Sequence, residues 1–527
     1  MPAIPSPTSD TCVAWYEQAF SAYQAGHYDG ALSALDKVFA SNSTHAGGLH
    51  LRGLVSFASG DSVSAQHWIA RAVDAQPNPI FLNSLCVVQT NMRVFSDAVR
   101  SAQRGLLLQP DMPLLHYNLG LALQLQHKLE EAAASYKRTL ELEPAHSAAC
   151  NNLGTVLRAL DDLSGAALHY GHATVLDPNN LEARSNLGHV LLAMGRYEEA
   201  WPLFEDRWAG ARTLIDQAGP GRPQLPLPQW KGQGLDVSAN AADRPETGQR
   251  LLVFQEQGYG DSLQFARYLP MALARFSHVG FVCPKPLRRL FEHCLCARWP
   301  GLSLLDACPD DLSEWDWQSP LLSLPMAFQT RLDTIPSTTP YLYADASLSA
   351  RWHARLTGVR GADLPRVGLV WAGGNTGWSA DSVRSLTPAQ IEPLLSLTHV
   401  RWISLQKTDD AAKRMDPTGA GGLIDWMDEV ADFADTAALI DNLDLVISVD
   451  TSVAHLAAAM GKPVWLINRF AGCWRWLRGR DDSPWYPGMR LFTQQRRGDW
   501  TEVLTAIVAA LSEESVLRGA QQTSPSA

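Results

Sequence analysis

Small, apolar and aromatic residues recur at a fixed spacing in the first 208 residues. Glycines Gly120, Gly154 and Gly188 are 34 residues apart. The same spacing separates three alanines, three aromatic residues and three prolines: Ala132, Ala166 and Ala200; Tyr136, Tyr170 and Phe204; Pro110, Pro144 and Pro178. A looser form of the pattern continues upstream to about residue 12. This periodicity predicts an array of about six helix-turn-helix units over residues 12–208.

The period resembles that of the tetratricopeptide repeat, in which small residues lie where two helices cross and proline closes the second helix. Such units stack into a superhelix whose groove usually holds a peptide or protein segment. Asn118, Asn152 and Asn186 fall on the first helix of successive repeats. Their amides are candidates for hydrogen bonds to an extended acceptor peptide in the groove. The alternative, that they are solvated helix residues, stays open at this point.

After residue 248 the pattern changes to short apolar runs that alternate with helical stretches. One set of such runs lies in residues 249–345 and a second in residues 362–515. Strand and helix in alternation predict parallel sheets, so we expect two Rossmann-like α/β domains. Residues 209–248, rich in Gly, Pro, Gln and Asp, predict an irregular connector packed through Trp230, and residues 516–527 predict a disordered tail.

Composition removes several classes of function. The formal net charge of -11 argues against nucleic-acid binding, which usually shows a clustered basic face. The sequence contains no run of about 18 apolar residues, so no transmembrane helix is predicted. Residues Met1–Pro7 lack the pattern of a signal peptide. Eight cysteines without regular spacing fit reduced thiols, so we expect a cytoplasmic protein. The cluster His293–Cys296 lacks the usual spacing of zinc ligands, and we expect packed thiols there and no metal site.

Two short polar motifs stand where a strand is predicted to end and a helix to begin. Gly258-Tyr259-Gly260-Asp261-Ser262 follows the apolar run 251–254, and Asp450-Thr451-Ser452-Val453-Ala454-His455 follows the run 445–449. In open α/β sheets, ligands bind at the carboxyl ends of the strands. Two such edges in one chain predict a cleft between two domains.

The first motif resembles the Gly-x-Gly-Asp motif of bacterial heptosyltransferase-like glycosyltransferases. Residues 450–466 resemble their Asp-Thr-Ser-x-x-His and Gly-Lys-Pro-Val motif. With the repeats, residues 12–512 resemble the bacterial tetratricopeptide-repeat glycosyltransferases. The resemblance implies a GT-B architecture, with an acceptor-side domain at 249–345 and a nucleotide-sugar-binding domain at 362–515.

The resemblance also implies a catalytic residue. Transfer of a sugar from a nucleotide diphosphate needs a base for the acceptor hydroxyl and positive charge for the departing diphosphate. Asp261 is the candidate base, although an aspartate there also suits capping of the following helix. Gly258 and Gly260 are assigned to the nucleotide-sugar site with it.

The second motif is the candidate diphosphate site. Thr451 and Ser452 should begin a helix whose free N–H groups and dipole favour an anion without a metal. His455 is expected to donate to a phosphate or sugar oxygen, or else to be structural, and Asp450 is expected to orient the loop. Arg384 and, ranked below it, Lys407 are candidate cations for a phosphate, though exposed basic residues are commonly just solvated.

These features predict an inverting, metal-independent glycosyltransferase with a nucleotide-sugar co-substrate. The repeats predict a protein acceptor, and the family analogy implies flagellin or another surface protein. Two alternatives stay open, a lipopolysaccharide or other glycan acceptor, and a repeat scaffold with an inactive transferase half. The sequence does not give the sugar, the nucleotide base or the acceptor residue.

Overall fold

The computed structural model describes residues 9–208, 222–233, 248–359, 363–374, 383–408 and 422–513. Helices fill the first of these ranges, and each is followed by a short turn. They are α1 Ser9–Gln24, α2 Tyr28–Ser41, α3 Ala46–Ala58, α4 Ser62–Ala75, α5 Pro79–Asn91, α6 Phe95–Leu108, α7 Pro113–Leu125, α8 Leu129–Leu142, α9 Ser147–Ala159, α10 Leu163–Leu176, α11 Leu181–Ala193 and α12 Tyr197–Phe204.

The turn inside each helix pair has one residue with a left-handed backbone. These residues are Gly26, Gly60, Arg93, His127, Asp161 and Gly195, with φ between 62° and 85°. They recur every 33 or 34 residues, which marks six helix pairs in residues 9–208. Glycine adopts this conformation without steric cost, whereas the three other residues accept some strain.

The periodic glycines and aromatic residues meet in the folded repeats. A Cβ atom built on Gly120 would lie 2.8 Å from the ring of Tyr136, and one on Gly154 would lie 2.8 Å from the ring of Tyr170. Each glycine therefore lets the second helix of its repeat approach the first. This contact is the physical cause of the 34-residue pattern in the sequence.

The chain divides into two compact units between Ala183 and Arg184, inside α11. The predicted array extends further, to residue 208. The difference has a physical reason, since α12 packs within the second unit. Nε1 of Trp201 donates to the carbonyl of Thr330 at 2.7 Å, and the ring of Tyr197 lies against that of Trp485.

The first α/β half, residues 248–345, contains a parallel sheet in the order β3-β2-β1-β4. Its strands are β1 Arg250–Phe254, β2 His278–Val282, β3 Leu302–Leu305 and β4 Trp317–Pro320. Its helices are α13 Tyr259–Phe265, α14 Leu269–Leu273, α15 Lys285–Phe291 and α16 Leu324–Ala327. Residues Glu292–Cys296 continue α15 as a π-helical turn.

The second α/β half, residues 363–513, contains a sheet in the order β6-β5-β7-β8-β10-β9, parallel except for β9. Helix α17, Ala346–Thr357, precedes it. The strands are β5 Arg366–Val370, β6 Arg401–Ser404, β7 Leu445–Val449, β8 Val464–Asn468, β9 Asp482–Ser483 and β10 Tyr486–Thr493. The helices are α18 Pro388–Leu395, α19 Phe433–Asp441, α20 Ser452–Ala459 and α21 Thr501–Ser512.

The predicted fold class is confirmed, since a helical repeat array precedes two mainly parallel sheets. The prediction that Trp230 packs is also confirmed, because its buried ring lies edge-on to Phe276 and Phe328. The rest of the predicted connector, 209–221 and 234–247, lies outside the described residues. The predicted tail, 516–527, also lies outside them.

A buried ion pair holds the loop that follows β1. Both side chains of the Arg207–Glu256 pair are almost fully buried, and they form two hydrogen bonds of 2.7 and 2.8 Å. Arg207 also donates to Glu205 and Ser323. Burial alone would lower the pKa of Arg207, but the neighbouring carboxylates raise it overall. The two hydrogen bonds of the pair fix Glu256 two residues before Gly258.

Candidate active site

The first motif forms the turn from β1 into α13. Gly258 is the residue before the helix, and its N–H donates to Oδ2 of Asp261 at 2.9 Å. The carboxylate therefore does bind the helix terminus, as the capping alternative expects. Capping and catalysis are compatible, because a carboxylate has lone pairs for more than one donor.

The second motif forms the turn from β7 into α20. The side chain of Thr451 lies 3.0 Å from Ser448 Oγ and makes no hydrogen bond to the first turn of the helix. The first N–H groups of α20 are therefore not capped by this side chain. A helix terminus of this kind attracts anions through its N–H groups and its dipole.

Gly260 brings the two motifs together. A Cβ atom built on it would lie 2.9 Å from Cδ2 of His455 and 3.5 Å from Cα of Ser452. Helix α13 of the first half therefore crosses the beginning of α20 of the second half at close range. The structure thus brings the helix that carries Asp261 against the beginning of α20, although the motifs are about 190 residues apart in sequence.

His455 is buried at this crossing. Its Nδ1 lies 2.9 Å from the hydroxyl of Tyr486, its Nε2 lies 3.9 Å from Asp450, and its ring stacks on Trp476. Burial lowers the pKa of His455 to about 3, although the charge of Asp450 opposes the shift. The imidazole is therefore neutral at pH 7. The predicted bond from His455 to the donor stays a prediction, and the contacts described here organise the protein.

Arg384 reaches the end of β7. Its Nη1 donates to the carbonyl of Asp450 at 2.8 Å. A Cβ atom on Gly373 would lie 2.4 Å from Nε of Arg384, so glycine at 373 makes room for this side chain. The guanidinium consequently lies beside the second motif, where its charge favours a phosphate.

Lys407 follows β6 in the second half. Its side chain is exposed, and Nζ donates to the carbonyl of Val430. No described contact joins it to Arg384 or to Asp450. The structure therefore brings Arg384 to the second motif, and a role for Lys407 at the diphosphate stays a prediction.

Arg475 was not predicted from the sequence, yet it contacts the candidate base. It belongs to a 3₁₀ turn, Trp474–Trp476, that follows β8. Its Nη2 donates to Oδ1 of Asp261, and its Nε donates to Oε1 of Gln264 at 2.6 Å. Burial alone would lower the pKa of Arg475, but the charge of Asp261 raises it overall. The sequence signal for Arg475 is its place in the tryptophan-rich segment Cys473–Pro487, which follows the second motif.

The aromatic residues of that segment are buried. Trp474 packs edge-on against Trp201 and Phe204 of the last repeat, and Trp485 donates through Nε1 to the hydroxyl of Tyr197. These rings therefore pack the segment 473–487 against α12 of the last repeat.

A further ion pair joins the two halves near the first motif. Nη2 of Arg289, on α15, lies 2.7 Å from carboxylate oxygens of both Asp432 and Asp435. The ring of Tyr259 lies edge-on to that of Phe433 in the same region. Helices α13 and α15 of the first half are therefore in contact with the beginning of α19 in the second half.

Known protein families match the two parts of the chain. The glycosyltransferase family 9 (heptosyltransferase) model matches residues 431–467, a span that contains the whole second motif. Tetratricopeptide-repeat models match residues 16–78, 113–146 and 169–201. The chain therefore combines tetratricopeptide repeats with a glycosyltransferase family 9 segment. This confirms the predicted resemblance and supports a glycosyltransferase.

One curated relative and two solved structures illustrate the extent of the similarity. Protein FlbA of Caulobacter vibrioides is 28% identical over 342 residues, which cover 61% of this chain and 53% of FlbA. The chain thus spans about half the length of this relative. YrrB, a TPR protein with an unusual peptide-binding site, is 19% identical over 33% of this chain and 91% of its own, with a TM-score of 0.30. Pseudomonas aeruginosa pilF is 14% identical over 40% of this chain and 94% of its own, with a TM-score of 0.36.

The predicted asparagine ladder is internally bonded where its contacts are described. Nδ2 of Asn118 donates to Oδ1 of Asn83 at 2.7 Å, and both side chains are buried. Nδ2 of Asn152 lies 3.2 Å from the hydroxyl of Tyr117. Asn118 is thus not a solvated helix residue, and Asn186 lies on α11 in the second compact unit. Contact with a peptide stays a prediction.

The described ranges contain no group of three or more His, Cys, Asp or Glu side chains placed to hold a metal ion. They also contain no helix that is long and apolar enough to cross a membrane. Cys294 is buried, and its Sγ contacts the backbone of Tyr343 at 3.0 Å, which confirms the expectation of a packed thiol.

Proposed function

We propose that the protein is an inverting, metal-independent glycosyltransferase that moves a sugar from a nucleoside-diphosphate donor to a protein acceptor. The observation that carries the proposal is the close crossing of α13 and α20, which sets Gly260, the neighbour of Asp261 in the chain, beside Ser452 and His455. A carboxylate next to an anion-binding helix terminus is the arrangement that this reaction needs. The family 9 match covers the helix and supports the same chemistry.

The donor binds with its diphosphate at the beginning of α20. The N–H groups of the first turn hydrogen-bond the phosphate oxygens, and the helix dipole stabilises the negative charge. Arg384, held by its bond to the Asp450 carbonyl, adds a guanidinium that suits phosphate oxygens. These groups stabilise the diphosphate as it leaves, so no metal is required for that step.

Asp261 takes the proton from the acceptor hydroxyl. The oxygen then attacks the anomeric carbon while the bond from that carbon to the diphosphate oxygen breaks. A single displacement of this kind inverts the anomeric configuration. One carboxylate is sufficient, because the leaving diphosphate does not need a proton from a second acid.

The acceptor is a protein segment recruited by the tetratricopeptide repeats. Support for this step comes from the tetratricopeptide repeats themselves, because the groove of such repeats usually holds a peptide or protein segment. The family analogy makes flagellin the first acceptor to test. This chemistry also favours a cytoplasmic reaction, because nucleotide sugars are cytoplasmic metabolites.

A calorimetric screen against UDP-, GDP-, ADP- and CMP-linked sugars tests the donor site. The proposal expects one nucleotide sugar to bind selectively, with the same affinity in EDTA. Mass spectrometry of an acceptor protein incubated with that donor then tests transfer. Absence of binding to every donor would favour the repeat-scaffold alternative, and transfer to a glycan but not to a protein would favour the lipopolysaccharide alternative.

A further inference from the structure

Arg475 is held by contacts from both α/β halves. Its Nη2 and Nε donate to Asp261 and Gln264, which lie on α13 of the first half. Its Nη1 lies 3.1 Å from Sγ of Cys473 in its own segment of the second half. The guanidinium also lies over the ring of Trp474, 4.6 Å from its centre. Each of the three guanidinium nitrogens of Arg475 therefore has a described partner.

The side chain of Arg475 is 9% exposed, whereas that of Asp261 is 16% exposed. Burial of a charged pair is costly and gives little net stability compared with apolar packing. A buried arginine at this position therefore suggests a role other than stability. The more exposed partner is the carboxylate, which is the group that an acceptor hydroxyl has to reach.

The two oxygens of Asp261 are bound from different directions. Oδ2 accepts from the N–H of Gly258 at 2.9 Å, within the same turn, and Oδ1 accepts from Arg475. Together the two bonds fix the plane of the carboxylate. Without Arg475 the bond to Gly258 alone would remain, and the carboxylate could turn about it.

The two donors to Asp261 come from different halves, so the orientation of the base depends on the contact between the halves. Gly258 belongs to the first half, and Arg475 belongs to the segment after β8 in the second half. Asp261 is therefore oriented from both sides only when the halves are together. If the carboxylate of Asp261 is aligned only when the two halves are in contact, proton transfer occurs only when the nucleotide sugar lies beside the base.

We propose that Arg475 is a positioning residue that orients the carboxylate of Asp261 for proton transfer. This inference rests on the proposed function. Misplacement of a reacting group by about 1 Å can cost on the order of 10²-fold in rate. Loss of Arg475 should therefore lower kcat strongly and leave the KM for the nucleotide sugar nearly unchanged, because the diphosphate is bound by other groups.

The test compares Arg475→Met, Arg475→Lys and the control Arg480→Met in the full-length protein. Arg480 lies in the same segment and forms a partly exposed pair with Asp482, so its loss should not affect transfer. We expect Arg475→Met to lower kcat about 10²-fold with the donor KM within about twofold. Arg475→Lys should recover part of the rate, because it keeps a cation near Asp261.

A double-mutant cycle separates positioning from a structural role. Once Asp261→Asn has removed the base, adding Arg475→Met should cause little further loss of kcat. A tenfold or greater loss in that background would overturn the inference, and so would full activity of Arg475→Met alone. If Arg475→Met does not fold, Arg475→Lys takes its place in the cycle, and the same outcomes decide.

The wild-type protein distinguishes the two proposals. If the wild type transfers sugar and Arg475→Met is equally active, the positioning role is overturned and the proposed function stands. A wild-type protein that transfers no sugar overturns the proposed function and this inference with it. A rise in the donor KM with unchanged kcat in Arg475→Met would show instead that Arg475 binds the diphosphate.

Discussion

Gly260 lies so close to His455 that a Cβ atom at position 260 would come within 2.9 Å of the imidazole ring. This contact connects the two sequence motifs and the two α/β halves. It also explains why glycine stands between Tyr259 and Asp261, a position where its backbone conformation alone does not require it. The glycine is needed for the approach of α13 to α20.

Gly260→Ala should therefore destabilise the protein and weaken transfer. Forcing a methyl group against buried atoms costs about 1–3 kcal/mol. Gly258→Ala is a matched control, because its Cβ would make only an ordinary contact, 3.5 Å from Asp261 Oδ2. The melting temperatures of the two variants, measured by tryptophan fluorescence, check the expected loss of stability. Equal melting temperatures for the two variants would contradict the close approach.

Arg384→Ala should weaken binding of the nucleotide sugar. Loss of a charge-assisted hydrogen bond to a phosphate typically costs about 1.5–3 kcal/mol, which is roughly a tenfold to hundredfold rise in Kd. Arg351→Ala removes an exposed arginine on α17 and serves as the control. Calorimetry with the selected donor makes the comparison. An unchanged Kd for Arg384→Ala would remove Arg384 from the donor site.

His455 should make stability depend on pH. Its folded pKa of about 3 is below its ordinary value of 6.5, so the unfolded chain binds more protons between these values. Stability from the neutral imidazole is complete above about pH 6.5 and is lost as the pH falls towards 3. Between pH 7 and pH 5 the wild type should lose about 2 kcal/mol more than His455→Gln. Parallel pH profiles for the two proteins would show that His455 is not held neutral.

The Arg207–Glu256 pair should be important for stability. Glu256→Gln leaves a buried guanidinium with less compensation, and breaking such a pair costs about 3–5 kcal/mol. Glu314→Gln, which breaks an exposed pair with Arg250, should cost no more than about 1 kcal/mol. Melting temperatures of the two variants provide the measurement. A similar small decrease for both would mean that Glu256 does not anchor the loop after β1.

Local patterns were sufficient for most of the fold. The 34-residue period predicted the helix pairs because the two helices of a repeat pack through the same type of contact, as at Gly120 and Tyr136. A search for apolar runs does not reveal β4, because the sequence Trp317–Pro320 lacks such a run and ends in proline. It does not reveal β10 either, because the pattern of exposed and buried residues in that strand is irregular. The helical stretch after β1 is broken, since α13 ends at Phe265 and α14, with Pro270 in its first turn, begins at Leu269.

The site could be predicted only in part. The two motifs were recognisable because each combines glycine or threonine with a polar residue at a strand end. Arg475 could not be found in this way, because its contact with Asp261 joins residues 214 positions apart and depends on how the two halves meet. Burial of His455 likewise follows from tertiary packing on Trp476 and was not visible in the sequence.

The central claim is that Asp261 is the base for sugar transfer at a site that binds a nucleotide sugar. The most direct measurement compares donor affinity and transfer rate in the wild type, Asp261→Asn and the exposed control Asp310→Asn. The account predicts that Asp261→Asn binds the donor with unchanged affinity and transfers sugar about 10²–10⁴-fold more slowly, while Asp310→Asn behaves as the wild type. A folded Asp261→Asn protein with full transfer activity would contradict it.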